Sequence, residues 1–400
     1  MRANRWYSWI AALLKLLAMT NLGVHRLRAV TAGYRRLAMT TALLTLAACS
    51  SGPRPAPRAS ANDMLVTQAH PGSRWTLANW SDLPGFESDA LHEAWNAWLK
   101  SCERPGPTFA TLCGEIRLLS LGTAQEQREW MRTHLQPYRV QALQGEPQGL
   151  LTGYYEPQIQ ASRQQREGFN FALYSLPVQA SAALKSAKPW YTRQQFDTLP
   201  EARAALRGHE LLWVADPLET LVLQLQGSGR VRVQEPDGSQ RWLRLSFAGS
   251  NNQPYQSPGR WLLEQHALTD ASWPGIRLWL TQNPQRQQEL LWSNPRVVFF
   301  REQVLSEQDA ASGPNGAQGV ALTPGRSIAV DPLSIPYGTP VWLASPGPVS
   351  NLQKLVLAQD TGSAISGALR VDYFAGWGAQ AGEFAGRLKQ PLQLWVLWPR

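Results

Sequence analysis

The sequence predicts a mainly β protein whose C-terminal part closes into a small barrel. From residue 318 onward, short strand-like runs alternate with turns that contain Gly and Pro. Short strands leave unpaired sheet edges, and closure into a barrel removes those edges. Of the 400 residues, 44% are hydrophobic, which is ordinary for a globular protein with a sizeable core. The strands predicted in this part cover residues 327–330, 339–343, 354–359 and 394–397.

Helices are predicted ahead of this region. Residues 89–102 have apolar side chains at helical spacing, which is typical of an amphipathic helix. Thr123 and Glu126 form a capping-box pattern that opens a second helix, and we expect Pro137 to end it. Residues 150–159 then have the composition of a strand that runs into a proline turn.

A middle region, about residues 160–297, combines helices with strands. Its clearest element is a hairpin over residues 229–247, with Pro236-Asp237-Gly238 as the turn. Proline in the first turn marks the expected start of several helices in this region. These starts are Asp216-Pro217 and the neighbourhoods of Pro274 and Pro284, and residues 297–300 have the composition of a buried strand.

The basic charge of the chain is concentrated in its first 48 residues. They contain seven cations and no acidic residue, and so account for seven of the net charge of +9. The rest of the chain carries a net charge of only +2. With a net charge this close to zero, the rest of the chain lacks the excess of positive charge that is typical of nucleic-acid-binding proteins. Nucleic-acid binding is therefore not expected.

The N-terminal segment has the pattern of a bacterial lipoprotein signal. Tyr34-Arg35-Arg36 supplies a cationic start, and residues 37–48 form an apolar run too short to span a bilayer comfortably. The run ends in Leu46-Ala47-Ala48-Cys49, which resembles a lipobox and implies cleavage before Cys49 and lipid attachment to it. Two or more acyl chains would anchor the protein lastingly. A plain secretory peptide or a membrane helix is the alternative.

These patterns predict the cellular location of the chain. We expect a signal region at residues 1–48 and a lipid-anchored tether at residues 49–84, which begins as a Pro- and Ser-rich extended tract. Ser50 after the lipidated cysteine is typical of lipoproteins that pass to the outer membrane. The sequence therefore predicts an outer membrane lipoprotein that faces the periplasm.

Two further cysteines, Cys102 and Cys113, are predicted to pair. The periplasm is oxidising, so two cysteines in one folded body form a natural disulfide there. The loop between them is short, and its closure would stabilise the fold by about 2–3 kcal/mol. Two buried free thiols are the alternative.

The best place in the sequence to hold carboxyl groups against a ligand lies near the C-terminus. An apolar, strand-like run ends at Asp360, and a turn of small residues that includes Gly362 follows it. Asp372 lies twelve positions after Asp360. Small residues let a ligand approach the backbone, and a strand fixes a side chain in space. The spacing alone does not decide whether Asp360 or Asp372 carries the chemistry.

Other chemistries find little support in the sequence. The Asp360-Thr361-Gly362 turn suggests an aspartic protease, but that mechanism needs two such turns and the chain has one. The six histidines lie far apart and lack ligand spacing, so no metal site is predicted. The loop at residues 226–229 lacks the lysine of a phosphate-binding loop, and no Gly-x-Ser-x-Gly motif occurs. No cofactor is indicated.

Seven short motifs in order make the chain similar to a known family. Over about residues 85–400 it resembles membrane-bound lytic murein transglycosylase A, and its last part resembles the "three-aspartate" module, here Asp331, Asp360 and Asp372. The motifs are Gly153-Tyr154-Tyr155-Glu156-Pro157, Gln226-Gly227-Ser228-Gly229, Phe247-Ala248-Gly249-Ser250-Asn251, Asn294-Pro295 with Val298-Phe299-Phe300, Ser327-Ile328-Ala329-Val330-Asp331, Ile335-Pro336-Tyr337-Gly338, and the segment from Asp360 to Asp372.

The resemblance implies a fold and a reaction. The fold would be a double-psi β-barrel built from residues 85–158 and 298–400, with an inserted second α+β domain at residues 159–297 and a substrate groove between them. Family members cleave the MurNAc–GlcNAc β-1,4 bond of peptidoglycan without water and leave a 1,6-anhydro-MurNAc end. The family's acid is the last of the three aspartates, so Asp372 inherits that role and Asp360 becomes its nearest helper.

The resemblance also implies substrate contacts along the groove, although ordinary turn chemistry would explain the same residues. One carboxyl group suffices for this reaction, because the C6 hydroxyl of the sugar replaces water. The alternatives are a non-catalytic peptidoglycan-binding barrel and a hydrolytic muramidase, which needs a second carboxylate that only Glu156 offers. The implied partners are glycan strands and the outer membrane, and no partner enzyme is identifiable. The expected contacts are Tyr155, Glu156, Gln226, Ser228, Gly229, Asp331 and Gly362.

Overall fold

The computed structural model describes residues 67–144, 148–186 and 188–400. The predicted signal region and Cys49 lie outside the described residues, as does most of the predicted tether. None of the described helices combines the length and the apolar character of a membrane span.

The described chain forms fifteen strands and twelve α-helices. The strands are β1 Thr67–His70, β2 Ser73–Leu77, β3 Leu135–Gln141, β4 Gly149–Glu156, β5 Gln158–Ser162, β6 Phe171–Tyr174, β7 Glu210–Val214, β8 Ser228–Gln234, β9 Gln240–Ser250, β10 Val298–Val304, β11 Ser327–Ala329, β12 Pro340–Ser345, β13 Leu352–Asp360, β14 Arg370–Trp377 and β15 Lys389–Pro399. The helices are α1 Leu91–Ser101, α2 Cys113–Leu118, α3 Ala124–His134, α4 Val178–Lys185, α5 Arg193–Thr198, α6 Pro200–Ala204, α7 Pro217–Gln226, α8 Pro258–Glu264, α9 Trp273–Gln282, α10 Gln287–Trp292, α11 Glu307–Ala310 and α12 Gly378–Arg387.

The first sheet closes on itself. Its order is β1-β2-β3-β15-β12-β13-β11-β14-β4, and β15 also pairs with β4. Six strands, from β15 through β12, β13, β11 and β14 to β4, therefore form a ring, while β1 to β3 extend the sheet along the second half of β15. The mainly β fold predicted from the sequence is confirmed, and its short C-terminal strands meet without a free edge as expected.

The core explains why β13 is a continuous apolar run. Leu355 and Leu357 pack on one face of the strand against the tryptophan-rich helix α1, whereas Val356 and Ala358 face the interior of the ring. A strand that is covered on both faces needs apolar residues at every position. Asp360 is the last residue of this strand and is partly exposed.

A second sheet has the order β10-β9-β8-β5-β7-β6. The predicted hairpin is confirmed as β8 and β9, which pair antiparallel from Ser228 opposite Ser246 to Gln234 opposite Gln240. The chain passes from the first sheet to the second at Pro157, since β4 ends at Glu156 and β5 begins at Gln158. The predicted proline turn is therefore a direct junction between two strands.

Most predicted helices are present. The amphipathic helix at residues 89–102 is α1, and the Thr123–Glu126 capping box opens α3 as expected. The expectation that Pro137 ends that helix is wrong, because α3 ends at His134 and Pro137 lies within β3. Pro217 and Pro274 stand in the first turns of α7 and α9, and Pro284 opens a short 3-10 turn ahead of α10.

Two predicted boundaries differ from the structure. The tether was expected to reach residue 84, but β1 and β2 already belong to the first sheet. The barrel was expected to resume at residue 298, but β10 pairs along β9 at the edge of the second sheet, and the first sheet resumes with β11 at Ser327. An isolated run of buried hydrophobic residues does not reveal which sheet it joins.

Cys102 and Cys113 form a disulfide with Cα atoms 5.5 Å apart. Cys102 follows the last residue of α1, and Cys113 begins α2. Both cysteines are 3% exposed and lie in the same cluster as Trp95 and Trp98. The bond thus fixes two helices against each other beneath the tryptophans, with a sequence separation of 11 and an entropic contribution of about 2–3 kcal/mol.

Candidate active site

Strand pairing brings Asp360 and Asp372 to the same end of the ring. β11 lies between β13 and β14, and Ala329 of β11 pairs with Asp360 on one side and with Asp372 on the other. Adjacent strands lie roughly 5 Å apart, so the two aspartates are separated by roughly 10 Å of sheet. Both side chains are partly exposed. Burial raises the pKa of Asp360, whereas hydrogen bonds from Thr361, Tyr154 and Ala317 act in the opposite direction and favour its ionised form.

Asp372 is held through one of its two carboxyl oxygens. The Thr152 hydroxyl donates to Asp372 Oδ1 at 2.7 Å, and Arg370 Nη1 donates to the same hydroxyl oxygen at 2.8 Å. No described donor lies within hydrogen-bond distance of Asp372 Oδ2. Burial raises the pKa of Asp372, although the Thr152 hydrogen bond and the charge of Arg370 act in the opposite direction. A raised pKa favours the protonated carboxyl group.

Asp360 is held through both of its oxygens. The Tyr154 hydroxyl donates to Oδ2 at 2.9 Å, and the backbone N–H of Ala317 donates to Oδ1 at 2.9 Å. The backbone N–H of Thr361 also stabilises the carboxylate and lowers its pKa against the effect of burial. Burial and the charge of Asp360 raise the pKa of Tyr154 well above its usual range, so this tyrosine keeps its proton and donates a hydrogen bond to Asp360.

The two hydrogen-bond patterns distinguish the aspartates. A general acid must present an O–H group to its substrate. Asp372 has a free oxygen for this purpose. The oxygens of Asp360, in contrast, already accept hydrogen bonds from two backbone N–H groups and a tyrosine hydroxyl. Of the two aspartates, only Asp372 therefore has an oxygen that is free to present a proton to a ligand.

Asp331 fastens the loops that surround this pair. Its Oδ1 accepts the backbone N–H of Leu333 at 3.0 Å, and its Oδ2 accepts that of Gly367 at 2.7 Å. Thr361 adds a bond from its hydroxyl to the Val330 carbonyl at 2.8 Å. The 361–367 loop is thereby tied to the end of β11. Both carboxyl oxygens of Asp331 thus accept hydrogen bonds from backbone N–H groups. The expected contact of Asp331 with substrate stays a prediction.

Tyr155 and Gln226 join the strand of the site to the second sheet. The Tyr155 N–H donates to Gln226 Oε1 at 3.0 Å, so the last residue of α7 holds β4 three residues after Thr152. The Tyr155 ring packs on α12, where a Cβ atom at Gly382 would lie 2.7 Å from the ring. Both residues are partly exposed, and their role as substrate contacts stays a prediction.

The other predicted groove residues have different surroundings. Ser228 is 8% exposed, and a Cβ atom at Gly229 would lie 2.2 Å from Leu223 Cδ1, so this glycine permits close packing of α7 on β8. Gly362 is exposed in the turn after Asp360. A role in binding substrate stays a prediction for all three.

Glu156 does not face the site, and its prediction as a substrate contact is wrong. Its side chain is 0% exposed, and its carboxylate accepts Arg230 Nε at 2.7 Å and Arg244 Nε at 2.7 Å. The two arginines come from neighbouring strands of the second sheet, and the Arg230 guanidinium also stacks 3.9 Å over the Trp377 ring. Glu156 thus fixes the junction of the two sheets.

Sequence reasoning missed four residues of this site. Thr152, Tyr154 and Arg370 contact the aspartates or their ligands directly. Tyr337 lies near the charges of Asp360 and Asp331, which raise its pKa after the larger effect of burial. Tyr154 and Tyr337 belong to motifs that the sequence does show. The parallel register that places Thr152 opposite Asp372 depends on residues 220 positions apart.

Comparison with known proteins places the chain in a family. The model of the MltA specific insert domain matches residues 150–301, and the model of the 3D domain matches residues 326–398. Membrane-bound lytic murein transglycosylase A of Vibrio cholerae is 29% identical over 293 residues, which cover 68% of this chain and 74% of that protein. The solved lytic transglycosylase LtgG of Burkholderia pseudomallei is 40% identical, covers 84% of this chain and 97% of that chain, and gives a TM-score of 0.56.

The chain belongs to the membrane-bound lytic murein transglycosylase A family. It is accordingly an enzyme of the lytic transglycosylase class. The fold agrees with this membership, since the structure of MltA from Neisseria gonorrhoeae superimposes with a TM-score of 0.67 at 28% identity and covers 84% of this chain and 94% of that chain. The match to the Escherichia coli family member covers 64% of that protein.

Proposed function

We propose that this enzyme cleaves the MurNAc–GlcNAc β-1,4 bond of peptidoglycan without water and leaves a 1,6-anhydro-MurNAc end. The relatives named lytic murein transglycosylases support the substrate class. The observation that carries the mechanism is the pair of aspartates across β11, in which Asp372 alone has an oxygen free of donors among the described residues.

In the proposed reaction, Asp372 acts first as acid and then as base. Its proton passes to the glycosidic oxygen as the C1–O bond breaks, and the departing sugar leaves with a new hydroxyl group. The C6 hydroxyl of the muramic acid ring then attacks C1 of the same ring and forms the C1–O6 bond. Its proton returns to the Asp372 carboxylate, which restores the enzyme. The nucleophile belongs to the substrate, so its attack gains from proximity.

Asp360 has the proposed role of an electrostatic partner. Positive charge develops at C1 when the glycosidic bond breaks. A carboxylate held by Tyr154 and two backbone N–H groups is oriented before the substrate arrives and needs no reorganisation to stabilise that charge. Its own negative charge also favours the protonated form of a neighbouring acid.

The proposed architecture is a double-psi β-barrel with a groove against the second sheet. Support comes from the closed ring of six strands, which contains the parallel pairs β11/β13 and β14/β4. The junction at Glu156 fixes the second sheet against the end of β4, and Asp372 lies on β14, which pairs with β4. A polysaccharide lying along this junction would pass the free oxygen of Asp372.

Product mass tests the proposed reaction. The full chain, purified in detergent, is expected to release muropeptides from purified sacculi that are lighter by one water than hydrolysis products. Mass spectrometry of the released material makes the measurement, and a hydrolytic muramidase provides the reference. Products with reducing ends would contradict the mechanism, and binding without release would favour a non-catalytic barrel. Glu156, the second carboxylate that hydrolysis would need, is buried.

We also propose that lipid on Cys49 anchors the enzyme in the outer membrane, facing the periplasm. The lipobox pattern and the membrane-bound relatives support this location. Cells expressing the full chain are expected to incorporate labelled palmitate into it, and Cys49→Ser is expected to remove the label. Label retained in Cys49→Ser, or activity confined to the inner membrane fraction, would contradict the proposal.

A further inference from the structure

A cavity lies in the part of the molecule built on the second sheet. Its volume is 360 Å³, and its lining comes from β6, β7, α5, α6, α7 and α10. No residue of the proposed catalytic machinery lines it. Cavities of about this size bind small ligands when a few polar groups converge in an apolar wall.

The cavity contains a cation, Arg193, that forms no ion pair with the described carboxylates. Arg193 donates from Nε to the Asn294 carbonyl at 3.0 Å and from Nη2 to Gln224 Oε1 at 2.7 Å and to the Arg296 carbonyl. All three acceptors are neutral, and no described carboxylate lies within ion-pair distance. Burial lowers the pKa of Arg193 to about 10, although the negative charge of Asp197 acts in the opposite direction. Arg193 is partly exposed, and a partly buried charge whose hydrogen-bond partners are all neutral carries a desolvation cost that an incoming anion would offset.

A hydroxyl group in the same lining also lacks a partner. Thr220 on α7 is 9% exposed, and its Oγ1 has no hydrogen-bond partner among the described residues. Buried polar atoms without partners are rare in folded proteins and call for an explanation. A ligand oxygen beside Arg193 would accept from this hydroxyl.

The remaining lining defines the class of ligand. Two positively charged residues, Arg193 and Arg203, line the cavity, against one negatively charged residue, Asp197. The Asp197 Oδ2 already accepts hydrogen bonds from the Gln288 amide at 2.6 Å and from the Trp292 indole at 2.7 Å. The cavity thus carries a net positive charge and favours an anion. Phe171 and Phe196 add apolar wall, which suits short aliphatic side chains. Together these groups suit a small aliphatic carboxylic acid.

Helix α7 connects this cavity to the strand of the site. Gln226 at its end holds Tyr155, while Thr220 lies six residues earlier and roughly 9 Å away along the helix axis. Peptidoglycan carries peptide stems that end in a carboxylate, and an extended stem of four or five residues spans roughly 13–18 Å. Resting on the proposed function, we propose that this cavity binds the carboxylate end of a peptide stem attached to the glycan substrate.

Direct binding tests the proposal without depending on catalysis. The probes are N-acetyl-D-alanyl-D-alanine, which ends in a carboxylate, and its C-terminal amide, which has the same shape without the charge. Calorimetric titration of the full chain in detergent is expected to show at least tenfold tighter binding of the acid, because a charge-assisted hydrogen bond to Arg193 forms only with the carboxylate. Equal affinities, or no binding of the acid, would overturn the proposal.

Two variants locate the binding. Arg193→Gln is expected to weaken binding of the acid at least tenfold and to leave the amide unaffected. Thr220→Val keeps the shape of the side chain and removes an unpartnered hydroxyl. It is therefore expected to weaken binding of the acid without lowering the stability of the fold. Arg260→Gln, which removes an exposed arginine of α8, is the matched control. Unchanged affinity in both cavity variants would place the ligand elsewhere and overturn the proposal.

Activity measurements separate this proposal from the proposed function. On intact sacculi, Arg193→Gln is expected to raise KM several-fold, whereas on glycan strands stripped of stems by an amidase it is expected to match the wild type. Equal losses on both substrates would show a structural role and overturn the stem site. Failure of the proposed function appears differently, as the absence of anhydro products from the wild-type enzyme on either substrate.

Discussion

Asp372→Asn is expected to reduce release of anhydro-muropeptides from sacculi by at least about 10²- to 10⁴-fold, the range that loss of a general acid produces. The amide has nearly the shape of the carboxyl group, and its oxygen still accepts the Thr152 hydroxyl that holds Oδ1 at 2.7 Å. It has no acidic proton to give to the leaving glycosidic oxygen. Mass-resolved product release measures the loss, and circular dichroism together with the urea midpoint shows whether the fold is retained.

Asp360→Asn is the matched control for the choice of acid. It also removes one negative charge from the site, but it leaves the proton on Asp372 and should cost much less activity. The new amide oxygen still accepts the Ala317 N–H, and its NH₂ group can donate to the Tyr154 hydroxyl oxygen, so local structure is preserved. Normal turnover in Asp372→Asn combined with loss in Asp360→Asn would mean that Asp360 is the acid.

The two candidate aspartates were visible in the sequence, but the choice between them rested on a family resemblance. An apolar run that ends in Asp360 predicts a buried strand with a carboxyl group at its end, and β13 has that form. The contacts that distinguish the aspartates come from Thr152, Tyr154 and Ala317. Strand register sets these contacts, and register depends on pairing between distant parts of the chain.

The error at Glu156 has a similar origin. A Gly-Tyr-Tyr-Glu-Pro run looks like a ligand-binding turn, because a charged residue beside glycine and proline is usually exposed. The chain here passes directly from β4 to β5, and the arginines that bury Glu156 lie 74 and 88 positions further on. The local sequence pattern predicts the strand correctly, but it contains no information about Arg230 and Arg244, which bind Glu156.

Glu156→Gln is expected to lower the free energy of unfolding by about 3–5 kcal/mol, since it leaves two buried guanidinium groups without their counter-ion. Arg230 and Arg244 are 4% and 3% exposed, and the Glu156 carboxylate bonds to both. Urea titration measures the change. Glu264→Gln is the control, because it breaks an exposed ion pair with Arg260 that is worth less than about 1 kcal/mol.

This experiment also separates a structural carboxylate from a catalytic one. If Glu156 serves the junction of the two sheets, the folded fraction of Glu156→Gln at low temperature should retain its activity and its anhydro products, while its urea midpoint falls. A catalytic base would give the opposite result, with unchanged stability and lost activity. That result would favour a hydrolytic mechanism, with Glu156 as the second carboxylate of a muramidase. Glu156 would then have to reach the substrate through a rearrangement of Arg230 and Arg244.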